Sequence, residues 1–259
     1  MIEPEDIVDY ATAHSDPEGD YLYRLWRATN IHTVHGHMAS GHLQGRLLKM
    51  LVMMLRPRTI LEVGTFSGYS AICMAEGLKE MWQSAPPSSE ACIGSVATLP
   101  AGEGRGGVST ASSPLPAGEG RGGVCPSSFR VYTFEINDEM EDFTRQWIEG
   151  SPVADYIDFR IGDAVKEAPK LGVTFDMMFI DGDKRTYVET YEALFPLLNK
   201  GGIILADNTL WDGHVIDKAY DRDSQTLGIR RFNDFIASDD RVGKVIVPIR
   251  DGLTIIRKK

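Results

Sequence analysis

Short apolar runs alternate with longer segments of helical spacing over most of this amino-acid sequence, and this alternation restricts the fold more than any other feature. The apolar runs lie at residues 59–63, 130–136, 157–162, 175–181 and 201–207. Helical spacing follows most of these runs, and two such segments, at residues 20–30 and 41–55, precede the first. Strands that alternate with helices pair in parallel, because each connecting helix packs back on the sheet. The pattern predicts an α/β fold with a doubly wound, mostly parallel sheet.

Two further strand-like runs end the sequence, at residues 244–250 and 253–258. Asp251 and Gly252 separate them, and this dipeptide is a strong hairpin signal. We therefore expect an antiparallel C-terminal hairpin at or near one edge of the sheet. Ligands of doubly wound sheets bind where the carboxyl ends of the parallel strands meet. The loops that follow the strands are therefore the places to search for a functional site.

The length and charge of the chain restrict its class. With 259 residues, of which 42% are apolar, it can bury the core of one large α/β domain. Its net charge of −10 argues against binding along a phosphate backbone, which depends on Lys and Arg. Cys73, Cys92 and Cys125 have no metal-site spacing, the N-terminus is acidic rather than signal-like, and no apolar run approaches bilayer length. These features predict a cytoplasmic protein with no membrane partner.

One stretch, from about residue 83 to residue 128, departs from the alternating pattern. It is rich in Pro, Gly, Ser and Ala, and the segment LPAGEGRGGV occurs in it twice, at 99–108 and 115–124. Such a composition buries too little apolar surface to offset the entropy of ordering it. A glycine-rich phosphate cradle would need a strand before the glycines and a helix after them, and neither is visible. We interpret the stretch as an inserted, largely disordered surface loop.

The first predicted strand runs into a turn that contains Gly64 and Gly68. Glycines there let a ligand approach the backbone, although Phe66 stands where a dinucleotide-binding pattern has its second glycine. Glu135 ends the second strand, where nucleotide sites carry a carboxylate for ribose hydroxyls about 20 residues beyond the glycines. It lies 71 residues beyond Gly64, or 23 once the 48 residues 81–128 are set aside. The spacing indicates a nucleotide-type cofactor and leaves a purely structural turn as the alternative.

Polar residues also end two of the later apolar runs. Asp181 follows the run at 175–180, and Asp207 and Asn208 follow the run at 201–206. If the two strands are adjacent, these side chains can converge. Two carboxylates and an amide oxygen form an incomplete shell for a hard divalent cation, with positions left for water and substrate oxygens. Two unconnected loop carboxylates are the alternative that the residues alone leave open.

Five motifs, in order, resemble the cation-dependent O-methyltransferases, the family of catechol and caffeoyl-CoA O-methyltransferases and their bacterial relatives. They are ILEVGTFSGYSAICMAEGL, VYTFEIND, FIDGDK, ADNTLW and DGLTIIRK. The resemblance implies a seven-stranded, Rossmann-like methyltransferase sheet in a single domain over residues 1–259, with N-terminal helices at 1–56 as a lid. It implies S-adenosylmethionine as cofactor and Mg²⁺, or another divalent cation such as Ca²⁺ or Mn²⁺. It also implies a homodimer.

The resemblance assigns roles to individual residues. Those that it places at the cofactor are Met38, Ser40, Glu62, Gly64, Tyr69, Ser70, Glu135, Asp163, Ala164 and Asp181. Among them, Glu135 would bind the ribose and Asp163 would lie at the adenine. Asp181, Asp207 and Asn208 would hold the cation. Trp211 would wall the acceptor pocket, with a buried core aromatic as the alternative.

Methyl transfer from a sulfonium requires a nucleophilic oxygen in line with the S–CH₃ bond. A divalent cation chelated by two vicinal oxygens stabilises a phenolate and orients it. Asp181, as a cation ligand, and Lys184, one helical turn further on, are the predicted catalytic residues. Lys184 would take the proton if the cation lowers the pKa of its amine. A lysine that merely pairs with Asp183 is the alternative.

Four histidines, His32, His35, His37 and His42, lie in the predicted lid. No Cys or acidic residue stands at ligand spacing from them, so we do not expect a second metal site there.

The sequence thus favours a Mg²⁺-dependent O-methyltransferase that acts on a small, catechol-like acceptor with vicinal oxygens. Two alternatives stay open. One is methylation of 5-hydroxyuridine in tRNA, whose neighbouring oxygens would chelate the cation in the same way. For that substrate, a basic patch would come from Arg24, Arg27, Arg46, Arg56 and Arg58. The other is a non-catalytic nucleotide-binding module.

Overall fold

A computed structural model of the chain describes residues 5–83 and 129–259. Its helices are α1 (Glu5–Ala13), α2 (Asp20–His32), α3 (Gly41–Leu55), α4 (Tyr69–Gln83), α5 (Glu141–Glu149), α6 (Ala164–Glu167), α7 (Tyr187–Leu194) and α8 (Ser224–Ser238). Its strands are β1 (Thr59–Val63), β2 (Arg130–Glu135), β3 (Ile157–Ile161), β4 (Phe175–Ile180), β5 (Leu198–Ala206), β6 (Val242–Val247) and β7 (Leu253–Lys258). The predicted repeat insertion lies outside the described residues, apart from its first position at the end of α4.

The strands form one sheet in the order β3-β2-β1-β4-β5-β7-β6. The first five strands pair in parallel, and β7 runs antiparallel to both β5 and β6. The chain moves outward from β1 in one direction through β2 and β3 and in the other through β4 and β5, so the order reverses between β1 and β4. The predicted doubly wound sheet and antiparallel C-terminal hairpin are confirmed.

The central strands are apolar throughout because both of their faces are covered. On one face, Ile60, Met177 and Phe179 pack with buried residues of α2, α3 and α4. On the other, Leu61 and Met178 pack with α7 and α8. Alternate residues of one strand therefore enter different cores, as the two-residue period of a strand requires. Within residues 5–83 and 129–259, no helix combines the length and apolarity that a bilayer crossing requires.

The register of the sheet brings the strand ends to one edge. Val63 of β1 pairs with Ile180 of β4, which pairs with Ala206 of β5. The ladder continues one residue further, since the Asp181 N–H donates to the Val63 carbonyl (2.9 Å) and the Asp207 N–H donates to the Ile180 carbonyl (3.0 Å). Both aspartates therefore begin their loops at the same level, at the carboxyl edge of the sheet.

The opposite edge carries the junctions of the predicted insertion. Arg130, the first residue of β2, pairs with Thr59, the first residue of β1. Trp82, near the end of α4, stacks on Phe129, with ring centroids 3.7 Å apart. The chain therefore leaves α4 and returns to β2 at neighbouring points, far along the strands from the carboxyl edge.

Candidate active site

The turn after β1 surrounds a pocket at the carboxyl edge. The pocket is lined by Met38, Ala39, Ser40, Gly64, Thr65, Phe66, Ser67, Tyr69, Ser70 and Asp181. Six of the predicted cofactor residues are thus brought together from three separate segments of the chain. Gly64 has φ +94°, and a Cβ on it would collide with the Asp181 carbonyl oxygen. Only glycine allows the loops after β1 and β4 to approach so closely.

Glu62 lies fully buried behind this turn. Thr133 Oγ1 donates a hydrogen bond to Glu62 Oε2, while Oε1 has no hydrogen-bond partner among the described residues. Burial raises the pKa of the Glu62 carboxyl to about 8, against the lowering effect of hydrogen bonds from Ser70 and Thr133. Ser67 Oγ, in the same turn, is also buried and has no hydrogen-bond partner in the described part of the chain. Unsatisfied buried acceptors are costly, and a ligand with an ammonium group would satisfy the carboxylate.

Glu135 ties the end of β2 to the turn. Its Oε2 accepts from the Phe66 N–H (2.7 Å) and its Oε1 accepts from the Asn137 N–H (2.8 Å). Phe66 has φ +47°, so a non-glycine residue adopts the left-handed conformation at the position where the glycine pattern was broken. Thr144 Oγ1 holds the Phe66 carbonyl from α5. We call Glu62, the turn at residues 64–70 and Glu135 the cofactor half.

Asp163 and Ala164 lie beyond the end of β3, beside the cofactor half. The Gly162 N–H donates to the Glu135 carbonyl (2.8 Å), which places the two strand ends together. Asp163 Oδ1 caps α6 through the Val165 N–H (3.0 Å), and Oδ2 pairs with Lys166 (3.0 Å). Neither residue lines the pocket of the cofactor half, and Asp163 has a structural role as a helix cap.

Asp207 and Asp181 stand at the ends of the adjacent strands β5 and β4, as predicted. Asp207 is 5% exposed, and its pKa is raised to about 6, first by burial and then by the charge of Asp181. Its Oδ2 accepts from Gln44 Nε2 (2.6 Å) and its Oδ1 accepts from the Asn208 N–H (2.9 Å). Asn208 has φ +57°, and its Nδ2 donates to Asp251 Oδ2 (3.4 Å).

These residues fit a divalent cation by their chemistry. The charges of two neighbouring carboxylates disfavour each other, and a cation between them would remove that cost. The third predicted ligand, Asn208, is an amide, and no group of three or more His, Cys, Asp or Glu side chains within 5–83 and 129–259 is arranged to hold a metal. The same finding gives no support to a histidine site, although His35 and His37 lie with ring centroids 5.9 Å apart.

Lys184 is 6% exposed and sits between the two strand ends. Its Nζ donates to Asp181 Oδ1 (2.7 Å) and to the Tyr187 hydroxyl (2.8 Å). Burial lowers the pKa of the amine, but the negative charges of its neighbours, Asp181 first, outweigh burial and raise it. Asp183 pairs with Arg185 instead (2.5 Å), so the alternative in which Lys184 merely pairs with Asp183 is wrong. We call Asp181, Asp207, Asn208 and Lys184 the cation half.

Trp211 lies beside the cation half. Lys184 Nζ is 5.9 Å from the centroid of its ring. The backbone N–H of Trp211 donates to the Asp251 carbonyl (3.1 Å). Trp211 has a φ of +46°, which turns the chain sharply after Asn208. The ring is half-buried, so the alternative of a buried core aromatic is wrong.

Three polar residues of the site were not predicted from the sequence: Gln44, Tyr187 and Arg250. Tyr187 follows Lys184 by three residues, a spacing that brings side chains together on a helical turn. Its hydroxyl also donates to the Asp207 carbonyl (3.0 Å). Gln44 is 2% exposed within the apolar helix α3, and such a buried polar residue requires a partner. Nothing in the sequence pointed to Arg250.

Comparisons with known proteins indicate one family. The O-methyltransferase family model matches residues 12–83 and 123–259. By sequence, the chain is 27% identical to probable caffeoyl-CoA O-methyltransferase 2 of Dictyostelium discoideum, over 97% of its own length and 91% of that protein. It is 27% identical to tricin synthase 2 of Oryza sativa subsp. japonica, over 93% and 70% respectively.

Solved structures give the same grouping. The O-methyltransferase from Bacillus cereus, in complex with SAH, superposes with a TM-score of 0.70 at 25% identity, over 98% of this chain and 97% of that one. The SAH-bound methyltransferase PaMTH1 of Podospora anserina superposes with a TM-score of 0.74 at 22% identity, over 100% and 99% respectively, and supports the fold.

Proposed function

Because the chain belongs to the O-methyltransferase family, we propose that it transfers the methyl group of S-adenosylmethionine to a hydroxyl of a small acceptor with vicinal oxygens, such as a catechol. The observation that carries the proposal is the position of Asp181. This residue lines the pocket of the cofactor half, accepts a hydrogen bond from Lys184 and interacts electrostatically with Asp207. Donor and acceptor would therefore meet at one side chain.

The cofactor half would bind S-adenosylmethionine. The orphaned Oε1 of Glu62 is suited to the ammonium group of the methionine portion. Glu135, whose two oxygens already accept backbone N–H groups, retains lone pairs for ribose hydroxyls. We also propose that Asp163 lies at the adenine, because it stands at the end of the next strand. One oxygen of its carboxylate caps α6, and the other, which pairs with the exposed Lys166, would be available to the adenine.

Asp181, Asp207 and Asn208 would hold Mg²⁺ or a similar ion, and the acceptor oxygens would complete the shell. A cation held by these residues would lower the pKa of the acceptor hydroxyl and orient its oxygen. It would also neutralise the two carboxylates that raise the pKa of Lys184, and burial would then favour the neutral amine. The neutral Lys184 amine could then take the proton of the acceptor hydroxyl. Trp211 would form one wall of the pocket around the acceptor ring.

We also propose that the protein is a homodimer. The support is a set of exposed apolar side chains on α2 and α3, among them Tyr23, Trp26, Met50 and Met54. The cytoplasm as location rests on the sequence features alone.

The test is an assay of methyl transfer from labelled S-adenosylmethionine to a panel of catechols and to hypomodified tRNA, with Mg²⁺ and with EDTA. We expect transfer to one or more catechols that EDTA removes and Mg²⁺ restores. Labelling of tRNA alone would favour the nucleic-acid alternative. Transfer that EDTA does not affect would refute the cation. A protein that does not bind S-adenosylmethionine in calorimetry would be a non-catalytic module.

A further inference from the structure

A chain of polar side chains connects the C-terminal hairpin to Asp207. Arg250, in the turn between β6 and β7, donates from Nη1 to Gln44 Oε1 (2.6 Å). Gln44 Nε2 in turn donates to Asp207 Oδ2 (2.6 Å). Arg250 and Gln44 are 206 positions apart in sequence, and Gln44 and Asp207 are 163 positions apart. Both hydrogen bonds are short.

The chemistry of Arg250 fixes the direction of this chain. A guanidinium group can only donate, so the end of the Gln44 amide that faces it has to be the oxygen. The NH₂ group is then directed at Asp207, which accepts. The carboxylate of Asp207 accepts only, so it selects the same orientation of the amide from the other side. Arg250 therefore completes a chain in which both ends of the Gln44 amide are held, and it keeps the NH₂ group on Asp207.

The hairpin turn that carries Arg250 is held by the loop that carries Asn208 and Trp211. The Thr209 N–H donates to the Gly252 carbonyl (2.9 Å), and the Leu210 N–H donates to the Asp251 carbonyl (2.7 Å). A Cβ on Gly252 would lie 2.7 Å from the Leu210 nitrogen, so the hairpin turn and this loop are in direct contact. The turn thus forms one unit with the end of β5.

The same guanidinium reaches the predicted lid. Arg250 Nη1 also donates to the Ser40 carbonyl, at the point where the pocket-lining segment Met38–Ser40 enters α3. One side chain therefore contacts the segment over the cofactor half and, through Gln44, a carboxylate of the cation half.

We propose that Gln44 is a positioning residue for Asp207 and that Arg250 orients it, so that the binding of cation and the binding of cofactor are coupled through this pair. The inference rests on the proposed cation site. Gln44 holds one carboxylate oxygen of Asp207 and thereby directs the other lone pairs at the cation. Closure of Met38–Ser40 over the cofactor holds Arg250 in place, and the two ligands reinforce each other's affinity reciprocally.

The experiment measures two affinities in the intact protein. Binding of Mn²⁺ is measured from the decrease of the electron paramagnetic resonance signal of the free ion, with and without S-adenosylhomocysteine (SAH). Binding of SAH is measured by calorimetry, with and without Mn²⁺. We expect Gln44→Met, which keeps the length of the side chain but removes its hydrogen bonds, to weaken Mn²⁺ binding by roughly 10–100-fold, the usual effect of losing a partner of a metal ligand.

Arg250→Met should weaken Mn²⁺ binding in the wild-type background and have little further effect when Gln44 is already Met. It should also reduce the factor by which Mn²⁺ strengthens SAH binding. Arg250→Lys, which keeps a donor, should restore part of both effects. Lys258→Met is the matched control, because Lys258 also donates to backbone carbonyls, those of Phe195 and Leu198, but at the other end of β7.

The outcomes are distinguishable. Wild-type protein that binds no Mn²⁺ would refute the proposed cation site. Mn²⁺ binding that Gln44→Met and Arg250→Met leave unchanged, or weaken additively and independently, would refute the positioning role alone. If Gln44→Met does not fold, as judged by circular dichroism, the comparison of Arg250→Met with Arg250→Lys decides, and equal Mn²⁺ affinities in these two variants would overturn the inference.

Discussion

The two halves of the site differ in how far their polar groups are already satisfied. In the cofactor half, Glu62 Oε1 and Ser67 Oγ are buried and have no hydrogen-bond partner among the described residues. In the cation half, Asp181 accepts from Lys184, and both oxygens of Asp207 accept from Gln44 and from the Asn208 N–H. The cofactor half thus contains two buried polar atoms without a partner, whereas in the cation half both aspartates already accept hydrogen bonds from the protein.

This difference indicates two modes of recognition. The cofactor half is formed by neighbouring backbone around β1 and β2, and a ligand there would bond to polar atoms that have no partner among the described residues. The cation half depends on side chains from α3, α7 and the C-terminal hairpin, and a bound ion would share Asp181 with the Lys184 amine, which donates to Oδ1. We therefore expect substitutions in the cation half to change turnover, and substitutions in the cofactor half to change affinity and stability.

The largest expected effect follows Asp181→Asn. The variant keeps the shape of the side chain but removes one of the two cation-binding charges. We expect cation-dependent turnover to fall more than about a hundredfold, because even indirect partners of metal ligands are worth 10–100-fold. Affinity for S-adenosylmethionine, measured without Mg²⁺, should change only slightly. Turnover is measured over a Mg²⁺ titration and affinity by calorimetry.

Asp183→Asn is its matched control, since Asp183 pairs with the exposed Arg185 two residues away. The division between the halves would fail if Asp181→Asn lost cofactor affinity while turnover per bound complex stayed unchanged.

Glu62→Gln should have the next largest effect, and on both affinity and stability. The variant loses a charge-assisted hydrogen bond to the cofactor, which is worth about 1.5–3 kcal/mol, or roughly a tenfold or greater loss of affinity. In the ligand-free protein it should be stabilising at high pH. The folded pKa of Glu62, about 8, lies above the ordinary glutamate value of 4.5. The stability linked to this group is therefore complete below the unfolded pKa and is lost as the pH rises through about 8.

Glutamine does not ionise, so the variant should escape that loss. We expect urea to give a free energy of unfolding that is higher than that of wild type by a few kcal/mol at pH 9 and close to that of wild type at pH 4. A difference that does not depend on pH would mean that Glu62 is ionised in the ligand-free protein, and the contrast between the halves would weaken.

The smallest effect is expected from the deletion of residues 86–126, closed by the residues that remain. The junctions lie at the amino edge of the sheet, where Trp82 stacks on Phe129, and both halves of the site lie at the carboxyl edge. The family model also passes over residues 84–122. Turnover and affinity for S-adenosylmethionine should both stay close to wild type. A loss confined to one half would show that the repeat segment contacts that half.

Sequence patterns were sufficient for the sheet, since apolar runs buried on both faces have few alternative arrangements. They were sufficient for the convergence of Asp181 and Asp207 as well, because the carboxyl ends of adjacent parallel strands meet at one edge. Both inferences use only the order and period of residues along the chain.

The remaining parts of the site depend on contacts between distant segments. The bonds of Gln44 to Asp207 and to Arg250 exist only once α3 and the hairpin pack at the carboxyl edge. The protonated state that burial favours for Glu62 likewise follows from its surroundings rather than from its type. A carboxylate that precedes a helix, such as Asp163, can be a helix cap or a ligand for a cofactor, and the sequence does not distinguish them. In the structure Asp163 caps α6.

The contact between Trp82 and Phe129 makes the far edge of the sheet a natural grafting point. Because the two ring centroids are 3.7 Å apart, a guest domain whose own termini are close could be spliced between α4 and β2 with little strain. A fluorescent reporter or an affinity module inserted there would lie at the amino edge of the sheet, at the opposite end of the molecule from the candidate active site.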